Sequence, residues 1–290
     1  MFTGAMVALV TPFRDGEIDF KTLDELIEFQ LENGIDGIVP AGTTGESPTL
    51  SHEENKQVIE RVVKTVAGQV PVIGGAGSNC TSEAIELTAF AKKIGADATL
   101  QVDPYYNKPT QQGFYQHFKA IAEEVDLPVV LYDIPGRCGA GMDVDTVVRL
   151  SEVENIVAIK DATGKLDHAS EIATRCDLTI LSGDDSLTLP IAAVGGKGVI
   201  SVVANIVPAD VKAMTDLILS NDFSSARKWH NKLFALSKNL LSLATNPIPI
   251  KAAMSILNMA SQEMRLPMTP MDEDKKVILQ QTLKDYGLFN

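Results

Sequence analysis

The chain has 290 residues, 45% of them hydrophobic and 22% charged, the balance of a folded enzyme rather than of a disordered or fibrous chain. A formal net charge of −13 argues against nucleic acid and anionic membranes as partners, so an anionic substrate would need donors placed locally. Cys80, Cys138 and Cys176 are far apart and odd in number, which suits neither a disulfide framework nor a Cys-x-x-Cys metal site. With neither signal peptide nor membrane span legible in the chain, a reducing cytoplasm is the expected compartment.

Along the chain, short apolar runs alternate with amphipathic segments. The candidate strands are Val7 to Val10, Gly37 to Pro40, Val70 to Gly74, Ala98 to Val102, Val129 to Tyr132, Val157 to Lys160, Thr179 to Ser182 and Gly198 to Val202, about eight in all. Helix starts lie between them. Ser51 with Glu54 has capping-box spacing ahead of Val58, Ile59, Val62 and Val63, and Thr81-Ser82-Glu83 and Thr110 read the same way. Continuously apolar strands are buried on both faces, so the sheet is expected to be parallel and covered by helices. Repeated strand-helix units without a Gly-x-Gly-x-x-Gly turn after the first strand predict a (β/α)8 TIM barrel rather than an open doubly wound sheet. Gly195-Gly196-Lys197-Gly198 precedes the last strand and reads as a tight helix-to-strand turn, not a phosphate cradle.

From Phe223 the strand pattern stops. The chain then reads as helices at Ser224 to Leu243, Pro249 to Asn258 and Asp272 to Tyr286, punctuated by Asn246-Pro247-Ile248-Pro249 and Leu266-Pro267-Met268-Thr269-Pro270. The expected division is a barrel over residues 1–222 and a closely packed C-terminal helical extension over 223–290.

In a parallel barrel the active site lies at the carboxyl ends of the strands, so the residues leaving each strand are the candidates. After the second strand comes Gly42-Thr43-Thr44-Gly45-Glu46-Ser47, and after the fourth Asp103-Pro104-Tyr105-Tyr106-Asn107. The fifth ends in Tyr132-Asp133-Ile134-Pro135-Gly136-Arg137, the sixth in Lys160-Asp161-Ala162-Thr163-Gly164, and the seventh in Gly183-Asp184-Asp185, while the eighth carries Ile200-Ser201. Lys160 is the most telling of these. An amine held where a buried strand leaves the core is poorly solvated, and desolvation favours the neutral form that attacks carbonyl carbon. Thr43 and Thr44 with their amides suit a carboxylate, Lys160 a ketone, and the Tyr132 phenol the proton transfers, a set that fits a 2-oxo acid. Taken singly, Lys160 could equally snorkel to the surface, Tyr132 be a core ring, and the threonine pair an ordinary turn. His52, His117, His168 and His230 show no metal-ligand spacing and are expected in surface or capping roles.

Together these segments resemble the dihydrodipicolinate synthase (4-hydroxy-tetrahydrodipicolinate synthase) family of Schiff-base aldolases, and the likeness runs from Phe2-Thr3-Gly4 to the two late proline segments. The resemblance implies a lyase of the lysine and diaminopimelate route. Lys160 would form a Schiff base with pyruvate, and the resulting enamine would add to L-aspartate 4-semialdehyde, with no cofactor or metal. It further implies a proton relay of Tyr132, Thr44 and Tyr106, the last reaching into a neighbouring subunit, hence a tight dimer and commonly a tetramer. Arg137 would bind the semialdehyde carboxylate and Thr43 the pyruvate, while the backbone of Gly183 and Ile200 lines the pocket. An L-lysine effector site is implied at Ser47, His52, Asn55, Asn79, Glu83 and Tyr105, with Glu83 meeting the ammonium. Asn55 departs from the residue of inhibited relatives.

Two further departures stand out. Asp133 replaces a usual asparagine, with an upward push on the Tyr132 phenol or a disturbance of Arg137 as its expected consequences, and Cys138 replaces a frequent threonine. Lyases acting on N-acetylneuraminate or on 2-keto-3-deoxy sugar acids share the lysine and tyrosine, but have a Gly-Ser-Thr-Gly-Glu pattern and lack the arginine. A phosphate-handling isomerase barrel and a catalytically dead binding barrel are the readings without covalent chemistry.

Overall fold

A computed structural model describes residues 2–289, so the outermost ends of the two expected units, Met1 and Asn290, lie outside the described residues. The barrel strands are β1 (Gly4–Ala8), β2 (Gly37–Val39), β3 (Ile73–Gly75), β4 (Ala98–Val102), β5 (Val129–Asp133), β6 (Ile156–Asp161), β7 (Thr179–Ser182) and β8 (Gly198–Ser201), and a short antiparallel hairpin pairs Phe13–Arg14 with Glu17–Ile18. The barrel strands form one 8-stranded sheet in which β1 pairs with both β2 and β8. Its two edges meet through a parallel bridge between Ile38 and Val72, which closes the (β/α)8 barrel.

After each strand the chain returns through a helix: α1 (Phe20–Glu32), α2 (His52–Val66), α3 (Thr81–Lys93), α4 (Gln111–Glu124), α5 (Val144–Ser151), α6 (Leu166–Arg175), α7 (Thr188–Ala193) and α8 (Pro208–Leu219). The sequence signals worked where local chemistry sets the boundary. Ser51 accepts the Glu54 N–H at 3.2 Å while Glu54 accepts the Ser51 N–H at 2.8 Å, so the expected capping box starts α2. Thr110 caps α4 through the Gly113 amide at 3.2 Å. Thr81, by contrast, is the first residue of α3 and follows a Cys80 cap that lacks a side-chain bond.

Three strands begin elsewhere than expected, the sixth by one residue, at Ile156. The first runs from Gly4 to Ala8; Leu9 still donates to the Val39 carbonyl at 3.0 Å but lies past the paired register, and Val10 turns its amide to the Asn205 side chain at 3.2 Å. The third starts at Ile73 rather than Val70, since Pro71 has no N–H to give a ladder. Gly75 is required there, for a Cβ would lie 2.1 Å from the Ala41 carbonyl oxygen. The turn at Gly195 has φ +122, and Gly196 N–H bonds the Ile191 carbonyl at 2.9 Å, so the segment is the helix-to-strand turn read from sequence.

Beyond α8 come α9 (Phe223–Ser242), α10 (Ile248–Ile256) and α11 (Glu273–Tyr286). Leu236 and Leu240 of α9, Ile250 and Met254 of α10 and Leu279 of α11 share one apolar core with Val7 and Leu9 of the barrel. Lys251 of α10 is buried and paired with Glu46, and donates to the Glu263 carbonyl at 2.9 Å. These contacts fix α9 and the segment after it beside the barrel mouth. Among the described residues, no helix is long and apolar enough to cross a membrane.

Candidate active site

Parallel pairing sets Tyr132 of β5 directly beside Lys160 of β6. Both point into the barrel, since side chains alternate along a strand and the next residues, Asp133 and Asp161, face the helix layer. Lys160 is 5% exposed, with Nζ 4.1 Å from the centre of the Tyr132 ring. Burial pulls its amine down to about 7, although the Asp185 carboxylate works the other way; the Arg137 guanidinium adds to the depression. Burial likewise pushes the Tyr132 phenol up to about 12, offset in part by the Thr43 hydroxyl beside it. At neutral pH the pair is thus an amine free of its proton in a large fraction of molecules and a phenol that keeps its own.

A cleft of about 570 Å³ opens above this pair. Thr43, Thr44, Arg137 and Gly183 line it with Lys160 and Tyr132, so six of the sequence candidates converge. Gly183 has no room for a side chain: a Cβ would meet that of Ala162 at 2.6 Å. Ile200 is buried in the barrel interior, with its side chain packed in the apolar layer beneath the cleft.

Tyr106 does not join them. It is 90% exposed with φ +72, a left-handed conformation unusual for a large side chain. The Asn79 amide holds the preceding Tyr105 carbonyl at 3.0 Å, and Asn107 holds the Asn79 carbonyl at 2.8 Å, which fixes the loop and presents the ring outward.

The structure supplies groups that sequence reasoning left without a role. Asn246, quoted only as part of a proline segment, donates to Thr44 Oγ1 at 3.1 Å and accepts Arg137 Nη2 on its carbonyl at 2.9 Å. Asp185 lies buried at the floor, accepting Ser201 Oγ at 2.5 Å and the Val202 amide at 2.9 Å. Burial raises it to about 6, so it is largely ionised at neutral pH and is a fixed negative charge for a cation at Lys160. Its only signal was its place at a strand end.

Four of the six candidate effector residues line a second pocket, and Asn79 and Glu83 border it. Ser47, His52, Asn55 and Tyr105 line a space of about 380 Å³ that also touches Thr43 and Arg137. Glu83 accepts the Ser78 hydroxyl at 2.7 Å and sits 3.8 Å from His52, and Asn79 joins through Tyr105. Asn55 is buried, donates to the Gly75 carbonyl at 3.2 Å and finds no partner for its own oxygen among the described residues.

Two expectations are corrected. Asp133 neither flanks the phenol nor touches Arg137: it points outward, where it meets Asp103 and His168, and the Tyr132 shift comes first from burial. His117 and His168 are not surface residues either. His117 is 6% exposed and bonded to Thr81 at 2.9 Å, and His168 lies between buried carboxylates. Cys138, buried in the helical turn Pro135–Cys138, has its thiol pushed up to about 12 by burial and by Asp103 and Asp133.

A closed parallel barrel with an amine, a phenol, paired hydroxyls and an arginine round a cleft at its carboxyl end defines an enzyme of the (β/α)8 class built for small carbonyl acids. The chain belongs, more narrowly, to the Dihydrodipicolinate synthetase family, whose model matches residues 1–286. It is 53% identical over 289 residues to the 4-hydroxy-tetrahydrodipicolinate synthase of Methanocaldococcus jannaschii, covering 99% of this chain and 100% of that one. Its fold matches the chloride-inhibited dihydrodipicolinate synthase of Acinetobacter baumannii complexed with pyruvate, at TM-score 0.97, 44% identity and 100% coverage of both chains. The enzyme of Cyanidioschyzon merolae with lysine bound matches at TM-score 0.95 and 41% identity, over 99% of each chain.

Proposed function

We propose that this chain condenses pyruvate with L-aspartate 4-semialdehyde through a Schiff base on Lys160, giving 4-hydroxy-tetrahydrodipicolinate for lysine and diaminopimelate biosynthesis. The observation that carries the reading is the buried Lys160 amine, brought to about 7 and set against the Tyr132 ring at the floor of the cleft. The neutral amine attacks the pyruvate ketone, and the oxygen leaves as water with protons passed by the phenol. Thr43 and Thr44 hold the pyruvate carboxylate, the Gly183 and Ile200 backbone closes the floor, and Asp185 balances the iminium. Loss of a methyl proton then gives the enamine that attacks the aldehyde. Arg137, steadied by the Asn246 carbonyl, receives the second carboxylate as a planar fork of donors.

Tyr106 completes the relay with Tyr132 and Thr44 from a partner subunit; its outward ring and fixed backbone support a tight dimer, paired in turn into a tetramer. The second pocket takes L-lysine, its ammonium toward Glu83 and His52. The unpaired Cys80, Cys138 and Cys176 fit a reducing cytoplasm. The test is turnover with pyruvate and either aspartate semialdehyde or N-acetylmannosamine, with Tyr106→Phe alongside and assembly read by light scattering. Turnover of the semialdehyde alone, reduced about tenfold or more in an assembled Tyr106→Phe variant, supports the reading. Turnover of the sugar, or a fully active monomer, contradicts it.

A further inference from the structure

Behind the cleft, on the outer face of the same strands, lies a chain of buried charged groups that the reaction described above does not use. Tyr132 pairs with Lys160 in the sheet, and the next register pair is Asp133 with Asp161. Asp133 is 0% exposed and Asp161 2%. His168, near the start of α6, lies between them: Nδ1 hydrogen-bonds Asp161 Oδ2 at 2.9 Å, while Nε2, without a hydrogen-bond partner among the described residues, stands at an ion-pair separation of 3.7 Å from Asp133 Oδ2. An imidazole ring can offer N–H groups on both sides only as the imidazolium.

We propose that His168 is a positioning residue for the Lys160–Tyr132 pair, an imidazolium that ties together the ends of the two strands carrying the amine and the phenol. The proposal rests on the reading of Lys160 as the Schiff-base amine. Each carboxylate it holds is one residue beyond a reacting group, so a shift at His168 is passed on as a change in the distance between amine and phenol. Such misplacements of about 1 Å can cost up to ~100-fold in rate.

The surroundings maintain the charge. Asp161 Oδ1 accepts the Thr163 amide at 2.9 Å and its hydroxyl at 2.7 Å, which leaves Oδ2 for the ring. Asp103 of the adjoining β4 end is fully buried against Asp133, and its Oδ2 accepts the Ile134 amide at 3.2 Å. Asp103 and Asp133 are adjacent buried carboxyl groups: burial and then the Asp133 charge push Asp103 up to about 10, while burial also raises Asp133 but the Asp103 hydrogen bond and the His168 charge work against it, so of the two Asp133, which faces His168, is favoured to carry the charge. Burial pulls His168 down, but the hydrogen bond and charge of Asp161, followed by the charge of Asp133, outweigh it and hold the ring above its ordinary value. On the solvent side Asp143, Asp145, Lys165 and Glu171 line the adjoining cavity of about 510 Å³, so the field there is also mainly negative. A ring whose folded-state value is raised has its bridging form in place at lower pH and loses it as pH rises through the folded value.

The experiment is the pH dependence of borohydride trapping of pyruvate, for the wild type and for His168→Gln and Asp133→Asn. In the wild type, trapping should rise through about pH 7 as Lys160 loses its proton and fall again well above the ordinary imidazole value of about 6.5. His168→Gln should lower the rate on the order of tenfold and remove the alkaline fall while leaving the rise in place. Should that variant fail to fold, judged by circular dichroism, Asp133→Asn should move the alkaline fall to lower pH. An unchanged rate and profile in a folded His168→Gln, or an unmoved fall in Asp133→Asn, overturns the proposal alone. Absence of trapping in the wild type overturns it together with the Schiff-base reading.

Discussion

Lys160 and Lys251 are two buried lysines in different regions of one chain, 5% and 1% exposed, and they have been given opposite tasks. Lys251 reaches from α10 into the loop after β2, where it pairs with Glu46, donates to the Glu263 carbonyl and lies 4.3 Å from the Phe13 ring centre. Lys160 has an aromatic face at a similar distance, yet no carboxylate within ion-pair reach among the described residues. Burial lowers both amines; for Lys251 the charge and hydrogen bond of the contacting Glu46 offset part of the fall and leave it lowered, while for Lys160 the more distant Asp185 only softens a large one. Desolvation alone does not make a nucleophile; desolvation without a contacting counter-ion does.

The largest effect that would sharpen this contrast is on turnover. Lys160→Met should lower it by at least about a thousandfold, because among the described residues no other lysine lines the cleft. The same substitution should raise the urea midpoint at neutral pH. The folded state holds this lysine near 7 and the unfolded chain near 10.4, so between those values unfolding takes up a proton and the wild-type lysine costs stability, on the order of a few kcal/mol, that returns as pH rises toward 10. A Lys160→Met protein less stable than wild type at pH 7 would break the comparison.

Lys251→Met should do the reverse. It strands the Glu46 carboxylate in the core and should cost about 3–5 kcal/mol, seen as a fall in the urea midpoint, with most of the loss recovered in a Glu46→Gln, Lys251→Met double variant. A single variant as stable as wild type would mean that the pair contributes nothing. The smallest effect is local: Ser51→Ala removes one half of the capping box on α2 and should cost about 1 kcal/mol in the same unfolding measurement, with turnover unaltered.

The two regions also differ in how well they could be read from the chain. The strand-end rule found Lys160, Tyr132, Thr43, Thr44, Arg137 and Gly183, because a parallel barrel sends whatever follows each strand to the same rim and apolar runs locate the strands. Local signals of cap and turn placed α2, α4 and the Gly195 turn for similar reasons: their partners are three to five residues away. The Glu46–Lys251 pair joins segments about two hundred residues apart, and nothing in either segment announces the other. His168 was read as a surface or capping residue because its meaning comes from register. Only when β5 and β6 pair do Asp133 and Asp161 face one helix side by side, and an isolated histidine on an amphipathic helix carries no sign of that. Asn246 was hidden by its prolines, which announced a turn and said nothing of the rim it reaches.

The central claim is that Lys160 is a pyruvate-capturing amine made reactive by burial. It is tested most directly by trapping pyruvate with borohydride and mapping the modified peptide at several pH values. The account predicts one reduced adduct, on Lys160, with half-maximal trapping on the acid side close to pH 7. An adduct on Lys251 or any other lysine, or a midpoint near the ordinary value of about 10.4, would contradict it.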